Sequence, residues 1–175
     1  MKLLTPEIAD GPKVMPRLSD MVRGTTRQHM KVSLALALLD RRAGSITVTS
    51  AGHPPAFLWQ AATGAVVPLG TPNVPLGTKL PVSYTSMAHP LASGDVVVLY
   101  TDGAYEMLGP DGNPYGLDRL ERLIADRGPW GSAASLREAV LQDLWTYKGS
   151  TPQEDDVTVL AVRMLDPGAI ADAEG

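Results

Sequence analysis

The sequence contains no cysteine. Disulfides and thiolate metal sites are therefore excluded, and the composition fits a cytoplasmic location. Phenylalanine occurs once, so a core must be built from Val, Leu, Ala, Ile and Met. The longest apolar run, "LALALL" at 34–39, falls far short of the roughly 20 residues that a membrane span needs. The opening "MKLLTPEIADGPK" has no apolar core of the kind a secretory signal carries. Positive charge is also scarce: 15 Lys and Arg face 19 Asp and Glu, for a net charge of −4. No basic run exceeds Arg41-Arg42, so neither nucleic acid nor an anionic membrane is expected as a partner. No Ser/His/Asp arrangement, glycine-rich phosphate loop or metal-spaced histidine pair is found.

The 175 residues are enough for one ordinary domain with a single sizeable core. Hydrophobic residues make up 44% and charged residues 19%, the balance of a soluble globular chain. Proline is plentiful, at 15 residues, or about 9% against a typical value near 5%. It falls between apolar segments, as in "GHPP" and "VPLGTPNVPLGTKLP". A chain that turns this often favours many short strands.

Periodicity assigns the elements. Residues 1–15 read as irregular. The segment 16–29 predicts a helix with Leu18, Met21 and Val22 on its apolar face. Residues 30–40 and "SITVTSAG" form a hairpin around "RRAGS", with Ile46 and Val48 inward and Thr47 and Thr49 outward. Residues 55–60 and 65–69 make a second hairpin. Strands follow at 82–89 and 94–101, joined by "LASGD". Helices are predicted over 116–128, with Gly128 as the C-terminal cap, and over 132–149, with Ser132 as the N-cap. A nearly all-apolar strand closes the chain at 156–165. This order describes an α+β domain, a mostly antiparallel sheet system covered by helices.

Acidic residues stand at two strand ends. In "DVVVLYTDGAYE" a buried-looking strand runs straight into Asp102, and in "QEDDVTVLAV" Asp155 and Asp156 precede the last strand. If those strands are neighbours with opposed directions, the acids meet at one rim. Like charges about 4 Å apart repel by roughly 4 kcal/mol at an effective dielectric near 20, so such a cluster calls for a proton or a cation. Hard oxygen donors without His or Cys favour Mg²⁺ or Mn²⁺. The alternative is turn chemistry, because Asp-Gly is a common turn dipeptide. His53, in "SAGHPPAFLW", reads as a turn histidine that bonds to nearby backbone.

"SAGHPPAFLW", "PLG", "LASGDVVVLYTDGAYE", "YGLDRL" and "EDDVTVLAVR", in that order, resemble the C-terminal part of the SpoIIE/RsbU-type phosphatases. These are bacterial members of the PP2C-like, metal-dependent serine/threonine protein phosphatases. The resemblance runs from about Met30 to Arg163. It implies a sandwich of two antiparallel sheets flanked by helices, with one or two Mn²⁺ or Mg²⁺ ions at one end. It implies that Asp102 and Asp155 bind metal and act through metal-activated water, with Asp156 supporting them. Gly103 and His53 are further motif positions, and His53 shapes a hairpin. The implied substrate is a phosphoserine or phosphothreonine on a regulatory protein of the anti-sigma-factor antagonist type.

The family's upstream Gly-Asp strand motif and Gly-His-Gly turn have no counterpart in the chain; Asp10-Gly11 reads as a loop. The expected organisation is therefore an irregular or helical segment at 1–29, a partial phosphatase domain at 30–165 lacking its first strands, and a flexible tail at 166–175. An open sheet edge would then invite a homodimer. A catalytically inactive, phosphatase-derived binding module is the alternative to an active enzyme.

Overall fold

A computed structural model describes residues 10–25 and 30–165. The tail expected at 166–175 and parts of the 1–29 segment lie outside the described residues. The chain divides into two compact units, Met1–Pro55 with Leu69–Pro90 and Ala56–Pro68 with Leu91–Gly175. Both are mixed α and β with antiparallel sheets. No helix among the described residues is long and apolar enough to cross a membrane.

The first unit holds helix α1 (Gly11–Thr25) and strands β1 (Leu34–Asp40), β2 (Ser45–Ala51) and β5 (Ser86–Pro90). The sheet order is β1-β2-β5. The β1-β2 hairpin runs in register from Leu34 opposite Ala51 to Asp40 opposite Ser45. Its turn is closed by the Asp40 carboxylate, which accepts the amides of Arg42 and Ala43 at 2.9 Å each. Those two amides hold the carboxyl below its ordinary pKa.

Helix α1 begins at Gly11, five residues before the expected start at 16. Asp10 caps it: its side chain accepts the Lys13 amide at 3.3 Å and its carbonyl accepts Val14 N–H at 3.0 Å. Asp10 itself stays outside the helix as expected, and Gly11 is the first helical residue. A proline in the first turn loses no intrahelical bond there, so Pro12 is a weaker stop signal than its count implied. The buried face is Met15, Leu18 and Val22, packed with Ala51, Leu76 and Tyr84. Met21, assigned to that face, is 64% exposed. Thr49 corrects a second expectation. Placed outward by alternation, it is buried because α1 lies over it, and a Cβ on Gly11 would fall 2.0 Å from its hydroxyl. The hydroxyl is paired with that of Ser86 at 2.8 Å.

The second unit carries β3 (Ala56–Trp59), β4 (Val66–Leu69, which ends at the unit boundary), β6 (Val96–Tyr100) and β7 (Val159–Arg163). The sheet order is β4-β3-β6-β7. Strands 82–89 and 94–101, read as consecutive, therefore lie in different sheets. Helices α2 (Asp102–Tyr105), α3 (Leu117–Asp126) and α4 (Ala133–Lys148) complete the unit. Alternate sheet residues Phe57, Trp59, Val96, Val98 and Tyr100 join Leu120, Ile124, Leu136, Val140 and Leu144 in one buried cluster. Those helical positions recur at intervals of four, which puts a stripe of each helix into the core. Ser132 caps α4 as expected, in a reciprocal pair with Ser135. Helix α3 ends at Asp126 with Arg127, and not Gly128, in the capping position. Burying apolar surface in such a cluster stabilises the unit by roughly 25 cal/mol per Å².

Candidate functional site

The candidate site lies where β6 and β7 end side by side. The two strands are antiparallel, and their last registered pair is Tyr100 opposite Val159. The ladder continues one step further, since Thr101 N–H donates to the Thr158 carbonyl at 3.1 Å. The Thr101 hydroxyl then donates to the Asp156 carbonyl at 3.0 Å and accepts the Thr158 amide at 2.9 Å. Opposed strand directions thus deliver Thr-Asp-Gly and Asp-Asp to the same rim.

Gly103 fits this arrangement for steric reasons. A Cβ at that position would lie 2.5 Å from the Asp156 carbonyl oxygen and 3.4 Å from the Asp155 carbonyl carbon. Contacts below about 3 Å are forbidden to real side chains, so only glycine lets the two turns come together. Helical backbone starts here: Thr101 is extended, and α2 is a single short turn from Asp102 whose carbonyl accepts Glu106 N–H at 2.9 Å.

The carboxylates themselves face solvent. Asp102, Asp155 and Asp156 are all exposed. One Asp102 oxygen accepts the Gly103 amide at 3.2 Å, and one Asp155 oxygen accepts the Asp156 amide at 2.7 Å. Gln153 reaches the Asp155 carbonyl at 2.7 Å and pins the turn. Asp156 enters the rim through its main-chain carbonyl, the acceptor for Thr101.

A cleft of about 250 Å³ opens beside this rim, lined by Gly103, Glu106, Met107, Glu154 and Asp155 among others. Glu106 and Glu154 were not singled out by sequence reading. Glu106 follows Asp102 by four residues, the spacing that places two side chains on one helix face, and Glu154 adjoins the Asp pair. Tyr105, in the same turn, has its phenol held above the ordinary value by burial and then by Glu106 and Asp102. Among the described residues, no three acidic or histidine side chains come together as a complete metal-ligand set. His53 belongs to the first unit, where its Nδ1 lies 2.9 Å from the Pro54 carbonyl and its own carbonyl accepts the Ser50 hydroxyl at 2.8 Å.

The model of the family described as Stage II sporulation protein E (SpoIIE) matches residues 2–165, nearly the whole chain. The chain belongs to that family, whose members are PP2C-like serine/threonine phosphatases. Among solved structures, it is similar to the SiaA-PP2C domain of Pseudomonas aeruginosa, with 25% identity over 83% of this chain and 56% of that one and a TM-score of 0.70. It is similar to the manganese-presoaked phosphatase domain of the cell fate determinant SpoIIE from Bacillus subtilis, with 18% identity, 90% and 66% coverage and a TM-score of 0.66. It is also similar to the RsbU and RsbW domains of a Mycobacterium tuberculosis protein, with 25% identity, 85% and 40% coverage and a TM-score of 0.66. The chain thus spans 40 to 66% of the length of these solved chains. No curated protein sequence matches it.

Proposed function

We propose that this chain is the metal-dependent part of a protein phosphatase that hydrolyses phosphoserine or phosphothreonine on a regulatory protein of the anti-sigma-factor antagonist type. The observation that carries this reading is the junction at the ends of β6 and β7, where Gly103 and the Asp156 carbonyl meet with no room for a side chain.

Asp102 and Asp155 are the residues proposed to hold Mn²⁺ or Mg²⁺. The donor set fits such an ion: hard carboxylate oxygens, exposed and single rather than caged, match the habit of Mg²⁺ of keeping several waters beside one or two carboxylates. When bound, such an ion supplies Lewis acidity toward phosphoryl oxygens and lowers the pKa of the water it coordinates. The protein's own contribution is placement. Thr101 and Gly103 hold the two acidic turns together, and Gln153 fixes the backbone of the second turn. Glu106 and Glu154 add negative charge along the cleft, so a phosphate dianion would be repelled from the unaided rim. That repulsion is why the reading requires a divalent cation. The manganese presoak of the SpoIIE relative and the presence of RsbU and RsbW domains in another relative support the metal and the regulatory setting.

A second reading, a catalytically inactive binding module, is favoured by the lack of a three-ligand set among the described residues. The two separate cleanly. Phosphate release from a phosphoserine protein is expected to rise with Mn²⁺ and to vanish in Asp102→Asn. A flat response across Mg²⁺ and Mn²⁺ concentrations favours the binding module.

A further inference from the structure

The geometry points to Thr101 as the positioning residue of the rim: its hydroxyl joins the turn bearing Asp102 to the turn bearing Asp155 and sets how far apart they stand. Three hydrogen bonds leave this one residue for the opposite segment. The amide donates to the Thr158 carbonyl at 3.1 Å, and the hydroxyl donates to the Asp156 carbonyl at 3.0 Å and accepts the Thr158 amide at 2.9 Å. They lie beyond the last registered strand pair, Tyr100 opposite Val159. Past that pair one ladder bond remains, from the Thr101 amide to the Thr158 carbonyl, and the hydroxyl supplies the other two links.

A second observation shows that the hydroxyl is committed to this role. Thr101 stands at the N-cap of α2 with extended backbone, φ −84° and ψ 164°, yet its side chain makes no capping bond. A threonine in that position ordinarily accepts an amide of its own helix. Here the same oxygen is turned across to the neighbouring strand. The donor-plus-acceptor pattern needs a hydroxyl, because it must give a proton to a carbonyl while receiving one from an amide. Valine has the same shape and can do neither, whereas serine can do both. Gly103 supplies the complementary condition, since its missing side chain lets the Asp156 carbonyl approach to where Thr101 can hold it.

The metal consequence rests on the functional reading above; the backbone consequence does not. Partners that orient metal-binding carboxylates without touching the ion typically change affinity by about 10- to 100-fold. Thr101→Val in the full chain is therefore expected to weaken Mn²⁺ binding about tenfold, as read by electron paramagnetic resonance titration of the free protein. In the phosphatase assay, half-saturation in Mn²⁺ should move by the same factor while kcat at saturating Mn²⁺ changes little. A purely structural defect would instead lower kcat with the folded fraction. The Thr158 amide should exchange faster with solvent, and Thr101→Ser should restore both readouts. Should Thr101→Val not fold, Thr101→Ala removes the same hydroxyl and stands in for it. Native Mn²⁺ affinity and native Thr158 exchange in Thr101→Val would overturn the assignment, as would a Thr101→Ser protein as defective as the valine variant. If the unaltered chain binds no Mn²⁺, the functional reading fails. Thr158 exchange then decides the clasp alone: faster in valine but not serine supports it, and unchanged in valine overturns it.

Discussion

Gly103 and Asp156 approach so closely that a single added carbon on the glycine would sit 2.5 Å from the aspartate's carbonyl oxygen. The obstacle is backbone held by Thr101, so it cannot swing aside as the end of a flexible side chain would. Gly103→Ala should force the two turns apart. The cost expected for such overpacking is about 1–3 kcal/mol, visible as a lowered urea midpoint, together with loss of Mn²⁺-dependent phosphate release. Gly131, with nothing within 4 Å of its would-be Cβ, is the control, and Gly131→Ala should leave both properties unchanged. A Gly103→Ala protein that keeps native stability and activity would show that the junction is looser than described.

Asp95 is a buried carboxylate with a structural task at the opposite end of β6. One oxygen accepts the Ala61 amide at 2.8 Å and the other accepts the Ala92 amide at 2.9 Å, tying the "LASGD" turn to the turn after β3. Replacing it with alanine orphans both amides in a site where only 4% of the residue is accessible. Hydrogen bonds to a charged acceptor contribute about 1.5–3 kcal/mol each, and the loss falls in that range or above. Chemical denaturation of Asp95→Ala should show the deficit, with Mn²⁺ affinity unaltered in the folded protein. A change in midpoint no larger than that of a neutral surface substitution would count against this account.

What could be read in advance divides by how far the cause lies along the chain. Ser132 was legible because its partner, Ser135, is three residues away, and the α3 and α4 stripes were legible because helix periodicity is local. That the turns bearing Asp102 and Asp155 end at one rim was legible only on the condition that β6 and β7 be antiparallel neighbours, which the register supplies. Thr49 was misplaced because its burial depends on α1, an element whose own start was masked by Pro12 and Asp10-Gly11. Glu106 and Glu154 escaped notice because a cleft is a property of several segments together. The Thr101 hydroxyl, bonded more than fifty residues downstream, left no trace that spacing could reveal.

Tyr115 predicts how the second unit responds to alkali. Its hydroxyl donates to the Asp143 carboxylate at 2.8 Å, an oxygen that Arg119 also reaches at 3.2 Å, while Arg127 lies 3.3 Å from the other. Burial, followed by the nearby carboxylate, pushes the phenol well above its ordinary value of 10.0. Tyr100 is displaced in the same direction, chiefly by burial. Below pH 10 both folded and unfolded chains keep these protons, and the contribution to stability is complete. Above it the unfolded chain releases them while the folded chain retains them, so stability must fall as pH rises toward the folded values. Each such group contributes a slope of about 1.4 kcal/mol per pH unit within that window. Urea midpoints taken between about pH 8 and about pH 11 should decline, and Tyr115→Phe should decline less steeply. The phenylalanine variant should also start lower at neutral pH by about 1.5–3 kcal/mol, the loss of one hydrogen bond to a charged acceptor. An alkaline slope identical in the two proteins would mean that Tyr115 does not hold its proton in the folded state as its burial and its carboxylate partner require.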